Sequence, residues 1–407
     1  MSAPLKLLTR NADFRRMLGA ELIMFGGDWF VMVPLLVLLQ QLTGTGVWGG
    51  LMLAVDTGCM ALLLPYTGTL ADRLDRKRIV LWANAVSILA VLLLLLVRSP
   101  GMAWLALVAM GSIAVAKAFY SPAAQAALPN LLAPEDLPAA SVLTGSAWGT
   151  MAVLGASLGG MSSAAFGPYW SFVGGALCLV VAITLQLRVR RPFQAARTTV
   201  AVSAWSALRE SMGYLRVRPR VRALITVKCA VGVGNGVLAV FPILAATVFH
   251  VGPLGVGALF AARGLGALFG PVLLRGVVLR RQNWLLPGLA VSMATYGVAY
   301  LMVGLTPWFW LALVLVAVAH MAGGGNWAMS SLALQREVPD QLRGRVFSAD
   351  VMIAFLAVSL SQGAAGVLSD HVPARVIVAV GGALTLTYSI CWYVATARLR
   401  RAQPAPA

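Results

Sequence analysis

Residues 68–78 read Gly68-Thr-Leu-Ala-Asp72-Arg73-Leu-Asp75-Arg76-Lys77-Arg78, a short charged stretch between two long apolar runs. The run before it covers Trp48–Thr67 and the run after it covers Ile79–Val97. A helix needs about 20 apolar residues to cross a bilayer. A charged stretch between two such runs predicts a tight hairpin loop at a membrane surface. The simplest role for this loop is to set membrane topology through its basic residues.

Long apolar runs like these two recur along the whole chain. It has 407 residues, of which 60% are hydrophobic and 11% are charged. Soluble domains carry about 25% charged residues, so the composition predicts an integral membrane protein. Twelve apolar runs are long enough to span a bilayer, which predicts an all-α membrane protein with twelve transmembrane helices. The predicted helices are Met17–Leu42, Trp48–Thr67, Ile79–Val97, Met102–Tyr120, Ser141–Ser163, Trp170–Leu187, Ala223–Val248, Leu254–Leu274, Trp284–Gly304, Trp308–Leu332, Val346–Leu368 and Val376–Ala397.

The positive charges are distributed unequally between the two sides of the membrane. The net charge is +18, and of the 31 Lys and Arg residues all but five lie in segments that the predicted helices place on one side. Arg98 and Arg375 lie on the other side, and Lys117, Lys228 and Arg263 lie inside apolar runs. An excess of Lys and Arg marks the cytoplasmic side. We therefore expect both termini in the cytoplasm and the chain in a cell inner membrane, and the basic charge does not indicate nucleic-acid binding.

The chain divides into two similar halves. Gly68 with Arg73 recurs as Gly270 with Arg275, and the stretch 134–137 (Pro-Glu-Asp-Leu) recurs at 339–342 as Pro-Asp-Gln-Leu. Duplicated halves of this kind place a transport site between them, near the middle of the bilayer. We expect a six-helix bundle over 1–190, a cytoplasmic linker with an amphipathic helix over 191–220, a second six-helix bundle over 221–397 and a disordered cytoplasmic tail over 398–407.

The stretch 68–78 resembles the signature loop between the second and third helices of the major facilitator superfamily. The resemblance implies that Gly68 lets two helices approach closely. It also implies that Asp72 caps a neighbouring helix and pairs with Arg73, which latches the cytoplasmic side while the outer side is open. Asp75 stands where the family usually has Gly. Arg76, and Asp350 one turn inside the eleventh helix, are expected to join this latch.

Other stretches resemble the branch of the superfamily that contains macrolide-efflux and siderophore-export proteins. They are Arg10–Leu18 before the first helix, Tyr120–Leu132 after the fourth and Val338–Ser348 before the eleventh. In the fifth helix, the glycines of Gly155-Ala-Ser-Leu-Gly159-Gly160 resemble a motif of proton-coupled antiporters, with Ala156 in place of its Pro. A face of small residues for close helix packing explains the same glycines without a coupling role.

Ionisable residues inside the apolar runs are the candidates for chemistry. Each costs about 2.5–3.5 kcal/mol at mid-membrane on insertion scales, so it is usually retained for a function or a partner. Counting from the helix ends places Asp28 and Asp56 near the middle of the first and second helices, with Arg263 at similar depth. We expect Asp28 or Asp56 to carry a proton and Arg263 to act as its counter-charge. A static buried pair is the alternative.

Further polar groups are weaker candidates for the same site. Glu21 lies two helical turns before Asp28 on the same face, and His320 lies at similar depth in the tenth helix. Asn235 and Asn326 are mid-helix groups that could line a cavity. Lys117 and Lys228 are placed nearer the cytoplasmic ends of their helices.

No catalytic constellation, phosphate-binding loop or metal-ligand spacing is present in the sequence, so we expect neither an enzyme nor a cofactor. The sequence favours a monomeric transporter in contact with membrane lipid, which exports hydrophobic or amphipathic small molecules in exchange for protons by alternating access. One alternative is a dedicated exporter or flippase of one native metabolite, such as a siderophore or a lysolipid. Another is a membrane sensor or scaffold that transports nothing.

Overall fold

The computed structural model describes residues 3–194, 204–280 and 284–401. Within these ranges, the description covers the backbone alone for residues 3–6, 68–73, 138, 142, 146, 148, 204–208, 274–280 and 340–341. These residues contain twelve helices long and apolar enough to cross a membrane, as the sequence predicts. We number them α1 to α12. They are α1 Ala12–Thr43, α2 Val47–Arg73, α3 Arg76–Leu93, α4 Trp104–Leu131, α5 Leu137–Phe166, α6 Pro168–Leu187, α7 Pro219–Gly234, α8 Gly252–Arg280, α9 Leu285–Leu305, α10 Phe309–Glu337, α11 Asp340–Leu368 and α12 Ala374–Ala395.

We call the end of the bundle where α1 begins the basic end, and the opposite end, where α2 begins, the far end. Several helices extend further toward the basic end than expected, among them α2 and α4. α2 continues to Arg73, so the predicted hairpin loop shrinks to two residues, and the Asp75 side chain then caps α3 by accepting a hydrogen bond from the Arg78 amide. α4 continues through Pro122 to Leu131, because transmembrane helices tolerate proline where neighbouring groups satisfy the freed backbone.

The seventh spanning segment is not one regular helix, although the sequence predicts one. Its α-helical part ends at Gly234 and is followed by a 3-10 segment, Asn235–Val240, and by a π-helical segment, Leu244–Val248. Glycines on both sides of Asn235 and a proline at position 242 weaken the regular helical hydrogen bonding here. The segment between Gly234 and the far end is therefore irregular at membrane depth.

The helices pack as two groups, α1–α6 and α7–α12. In the first group α4 packs on α2 and α3, and α1 packs on α5 and α6; in the second, α10 packs on α8 and α12 packs on α9. The groups meet along α2 with α11 and along α5 with α8. An ion pair between Glu210 and Arg345 ties the linker helix Ala204–Val217 to α11. The tail was expected to be disordered from residue 398, but Ala397–Arg401 is helical; residues 402–407 lie outside the described part.

The glycines of α5 allow close approach to two helices. A Cβ atom on Gly155 or Gly159 would meet the backbone of α1, and one on Gly160 would lie 2.9 Å from the Cα atom of Gly257 in α8. Close packing therefore accounts for all three glycines, while their role in antiport stays a prediction.

Candidate functional site

Three charged side chains meet inside the first helix group. The Nζ atom of Lys117 in α4 lies 2.9 Å from Oδ2 of Asp28 in α1 and 2.7 Å from Oδ1 of Asp56 in α2. Each of these side chains is about nine-tenths buried. We call Asp28, Lys117 and Asp56 the triad. Each of its members lies well inside its helix, so the triad sits at membrane depth.

The negative and positive charges of the triad do not balance. Two carboxylates share one ammonium group, so the fully ionised cluster has a net charge of −1. Within the described part, the second carboxylate oxygen of Asp28 is buried and accepts no hydrogen bond. Buried charges of like sign disfavour simultaneous ionisation, and one added proton would make the cluster neutral. The triad therefore has one more carboxylate than its lysine can neutralise.

A small pocket adjoins the triad on the interior of the first group. Its polar lining comes from Asp28, Lys117 and Ser87, and its remaining lining is apolar or glycine: Met24, Gly27, Val31, Val91, Ile113 and Leu179. This small and mostly apolar pocket lies directly beside the buried carboxylate of Asp28.

The expected counter-charge, Arg263, does not pair with either aspartate. Its guanidinium carbon lies 4.8 Å from the ring centroid of Trp29, the residue after Asp28, and Lys117 takes the place next to the carboxylates. Trp29 in turn packs at 5.9 Å on Phe260 of α8, and Phe260 at 5.3 Å on Phe241. Arg263 therefore belongs to an aromatic layer between the two helix groups, beside the triad.

Lys117 is the member of the triad whose depth the sequence analysis placed wrongly. The fourth helix was expected to end at Tyr120, which put Lys117 one turn from the cytoplasmic surface. Because α4 continues to Leu131, Lys117 lies near the middle of a helix of 28 residues. The sequence did contain a signal, which is the lysine inside an apolar run. A lysine at mid-membrane has a high insertion free energy and is rarely found there without a partner.

Glu21 lies on the basic-end side of the triad. It is buried, and it lies within electrostatic range of the Tyr120 hydroxyl. That hydroxyl accepts a hydrogen bond from Gln186 at 3.3 Å, and Gln186 accepts one from Asn84 at 2.9 Å. Polar groups from four helices thus continue from the region of the triad toward the basic end.

The other polar candidates form hydrogen bonds within the second helix group, although among the described residues Oδ1 of Asn326 is buried and accepts none. His320 is hydrogen bonded to Tyr300 at 2.7 Å, and Asn326 donates to the Ser292 hydroxyl at 3.0 Å. Asn235 donates to the carbonyl of Val231 in its own helix, at 2.7 Å. The structure does not bring these residues to the triad, and Asn326 is fully buried.

The expected place of Asp350 in the latch is not what the structure shows. Its carboxylate forms an ion pair with Lys228 of α7, and both side chains are fully buried. Lys228 also donates to the Ser331 hydroxyl at 2.9 Å and lies 4.7 Å from the ring centroid of Trp327. Asp350 therefore joins α7 to α11 inside the second group, because a buried lysine within reach is a stronger partner than a solvated loop.

Of the remaining latch residues, Arg76 donates to the carbonyl of Ala126 in α4 at 2.7 Å. The side chains of Gly68, Asp72 and Arg73 lie outside the described part. The latch at the basic end stays a prediction from the resemblance.

Comparison with known proteins identifies the family to which this architecture belongs. The family model described as Major Facilitator Superfamily matches residues 17–361. Among curated proteins the chain is similar to the enterobactin exporter EntS of Shigella boydii serotype 18, with 25% identity over 84% of this chain and 82% of that protein. The EntS protein of Escherichia coli O1:K1 is 24% identical over the same shares.

Two solved structures share the fold. A bacterial homolog of the human lysosomal transporter Spinster, in an inward-facing and unoccupied conformation, superposes with a TM-score of 0.71 at 16% identity, over 98% of this chain and 100% of that one. A POT family transporter in complex with 5-aminolevulinic acid superposes with a TM-score of 0.74 at 11% identity, over 96% and 97%. The chain thus belongs to the major facilitator superfamily of membrane transporters.

Proposed function

We propose that this chain exports hydrophobic or amphipathic compounds in exchange for protons, with its basic end in the cytoplasm of a cell inner membrane. The observation that carries the proposal is the sharing of Lys117 between Asp28 and Asp56 at membrane depth. A buried pair of one lysine and one aspartate needs no further proton. A second aspartate at the same ammonium group leaves one negative charge that a proton can neutralise.

The proton would change how the triad holds its helices together. With both carboxylates ionised, Lys117 draws α1 and α2 toward α4. When one carboxylate takes up the proton, its attraction to Lys117 weakens, and the lysine stays with the other. The helix released in this way gains freedom to move relative to α4. The proton would therefore bind with a different free energy before and after the helix moves. This difference is what coupling of proton binding to a conformational change requires.

The aromatic layer beside the triad supports an apolar substrate. Trp29, Phe260 and Phe241 come from both helix groups, so a compound bound between the groups would meet aromatic faces. Arg263 adds a positive charge to the same layer and would favour an anionic or electron-rich group on the substrate. The layer also places substrate and proton on neighbouring residues of α1, Trp29 and Asp28.

The similarity to enterobactin exporters favours a second candidate, a dedicated exporter of a siderophore. Those proteins are similar over 84% of this chain, although their identity of 24–25% is low. A siderophore exporter would use the same triad for coupling and would differ in accepting one compound rather than many.

Transport in proteoliposomes tests both candidates. An imposed proton gradient should drive uptake of a lipophilic cationic dye by the inside-out fraction of the wild-type protein. Uptake should fall about ten-fold in Asp28→Asn and Asp56→Asn, since coupling between two binding sites typically changes affinity by about 5–150-fold. Asp136→Asn, which alters a carboxylate paired with Arg10 at the basic end, is the matched control and should transport normally.

Gradient-driven transport that survives in both triad variants would refute the proton site. Movement of enterobactin without movement of the dye would favour the dedicated exporter over the broad one.

A further inference from the structure

The two helix groups are joined by hydrogen bonds between α2 and α11. The Thr57 hydroxyl lies 3.0 Å from the Gln362 side-chain oxygen and 2.9 Å from the Leu53 carbonyl of its own helix, so it shares its one proton between these two acceptors. The Ser359 hydroxyl donates to the Ala54 carbonyl at 2.7 Å. Nearer the far end, the Gly46 amide donates to the Asp370 carboxylate at 3.2 Å. We call these three bonds the seam.

The seam runs along one face of each helix. Its residues on α2 recur at helical spacing, and glycines fill the positions between the bonds. A Cβ atom on Gly366 of α11 would lie 2.7 Å from the Cα atom of Gly50 of α2, so the two backbones touch there. The antiparallel helices thus stay in contact from the far end to the depth of Thr57. Opening the far end along this pair requires every seam bond to break.

The triad and the seam lie on different faces of the same helix. Asp56 contacts Lys117 in the interior of the first group, and the next residue, Thr57, bonds across to Gln362 in the second group. Successive residues of an α-helix are about 100° apart around its axis. A rotation or tilt of α2 that follows release of Asp56 from Lys117 therefore moves Thr57 relative to Gln362.

The chemistry of this contact suits a reversible link. Gln362 is 3% exposed, so its side-chain amide depends on protein partners while the far end is closed. Water would replace Thr57 as the partner once the helices separate, so that neither polar group stays unsatisfied in the open state. An apolar contact at the same place would have no comparable replacement.

We propose that the hydrogen bond between Thr57 and Gln362 is the link that transmits the protonation state of Asp56 to closure of the far end. The two residues position helices and carry no proton. The inference rests on the proposed function of Asp56.

A cycle of variants tests the link. Spin labels at Gln41→Cys and His371→Cys, in a background without native cysteines, report the distance between the two groups at the far end. We expect Asp56→Asn to change the ratio of open to closed far-end distances by about five-fold or more, the lower bound for coupled sites. When Asp56→Asn is added to Gln362→Leu, or to the nearly isosteric Thr57→Val, the ratio of open to closed distances should change by less than about two-fold.

Ser361→Ala is the matched control. The Ser361 hydroxyl donates at 2.7 Å to the Gly232 carbonyl within the second group, one position along α11 from Gln362. The full effect of Asp56→Asn should persist in this variant.

An effect of Asp56→Asn that persists in full in Gln362→Leu and Thr57→Val overturns the link, as does a wild-type distance ratio that Asp56→Asn leaves unchanged. Gradient-driven transport measured on the same Asp56→Asn protein separates the two hypotheses. If that transport is retained, the proton site at Asp56 fails; if it is lost while the distances do not respond, only the link fails.

Discussion

Replacement of Lys117 by Met removes the only positive charge of the triad and leaves its two carboxylates facing each other. The distances of 2.9 and 2.7 Å from Nζ place the two bonded oxygens at most 5.6 Å apart. At an effective dielectric constant of about 20, two unit negative charges at that separation repel by about 3 kcal/mol. Loss of one partner from a buried ion pair costs about 3–5 kcal/mol by experiment, which agrees with this value. We expect Lys117→Met to lower the free energy of unfolding by about 3 kcal/mol when both carboxylates are ionised.

Thermal unfolding of the purified protein in detergent, followed at several pH values, measures this effect. The destabilisation should be largest at high pH, where both carboxylates are ionised, and should decrease as the pH falls and one of them takes up a proton. The double variant Lys117→Met with Asp28→Asn should recover part of the loss, because the repulsion is removed although Asp56 still lacks its lysine. A Lys117→Met protein as stable as wild type at high pH, or a double variant no better than the single one, would refute the reasoning.

Three further predictions concern other parts of the structure. Lys228→Met should destabilise the second group by about 3–5 kcal/mol by leaving Asp350 unpaired, and Asp350→Asn in the same chain should restore part of it in thermal unfolding. Gly366→Leu should hold the groups apart at the far end, seen as a longer distance between spin labels at Gln41→Cys and His371→Cys; an unchanged distance would contradict the closed contact. Asp75→Ala should cost about 1 kcal/mol through loss of the α3 cap, whereas Asp75→Asn, which can still cap, should unfold like wild type.

Length and hydropathy were sufficient to predict the twelve helices, because a membrane imposes the same requirement on each spanning segment. They were not sufficient to find the partners of the buried charges. Asp28 and Asp56 were recognised from their depth, but the choice between Lys117 and Arg263 as counter-charge depends on which helix faces which. That choice follows from packing of small residues, such as Gly155 against α1, and carries no signal in hydropathy.

The sequence analysis also gave wrong depths in the membrane for the fourth helix and for Asp350. The fourth helix was expected to end at Tyr120, two residues before Pro122, but within the bundle it continues through this proline to Leu131. Asp350 was placed near the surface by its distance from the start of its helix. Its partner Lys228 lies in a different helix, so no local pattern could reveal the pair.

The triad also has a consequence for biogenesis. A chain enters the membrane in sequence order, so Asp28 and Asp56 arrive before Lys117. At mid-membrane each unpaired charge costs about 2.5–3.5 kcal/mol on insertion scales. The first two helices are therefore an incomplete unit until α4 is inserted and supplies the lysine. Any ribosome-bound intermediate that stops after α3 must keep these two acids protonated, hydrated or shielded by the insertion machinery.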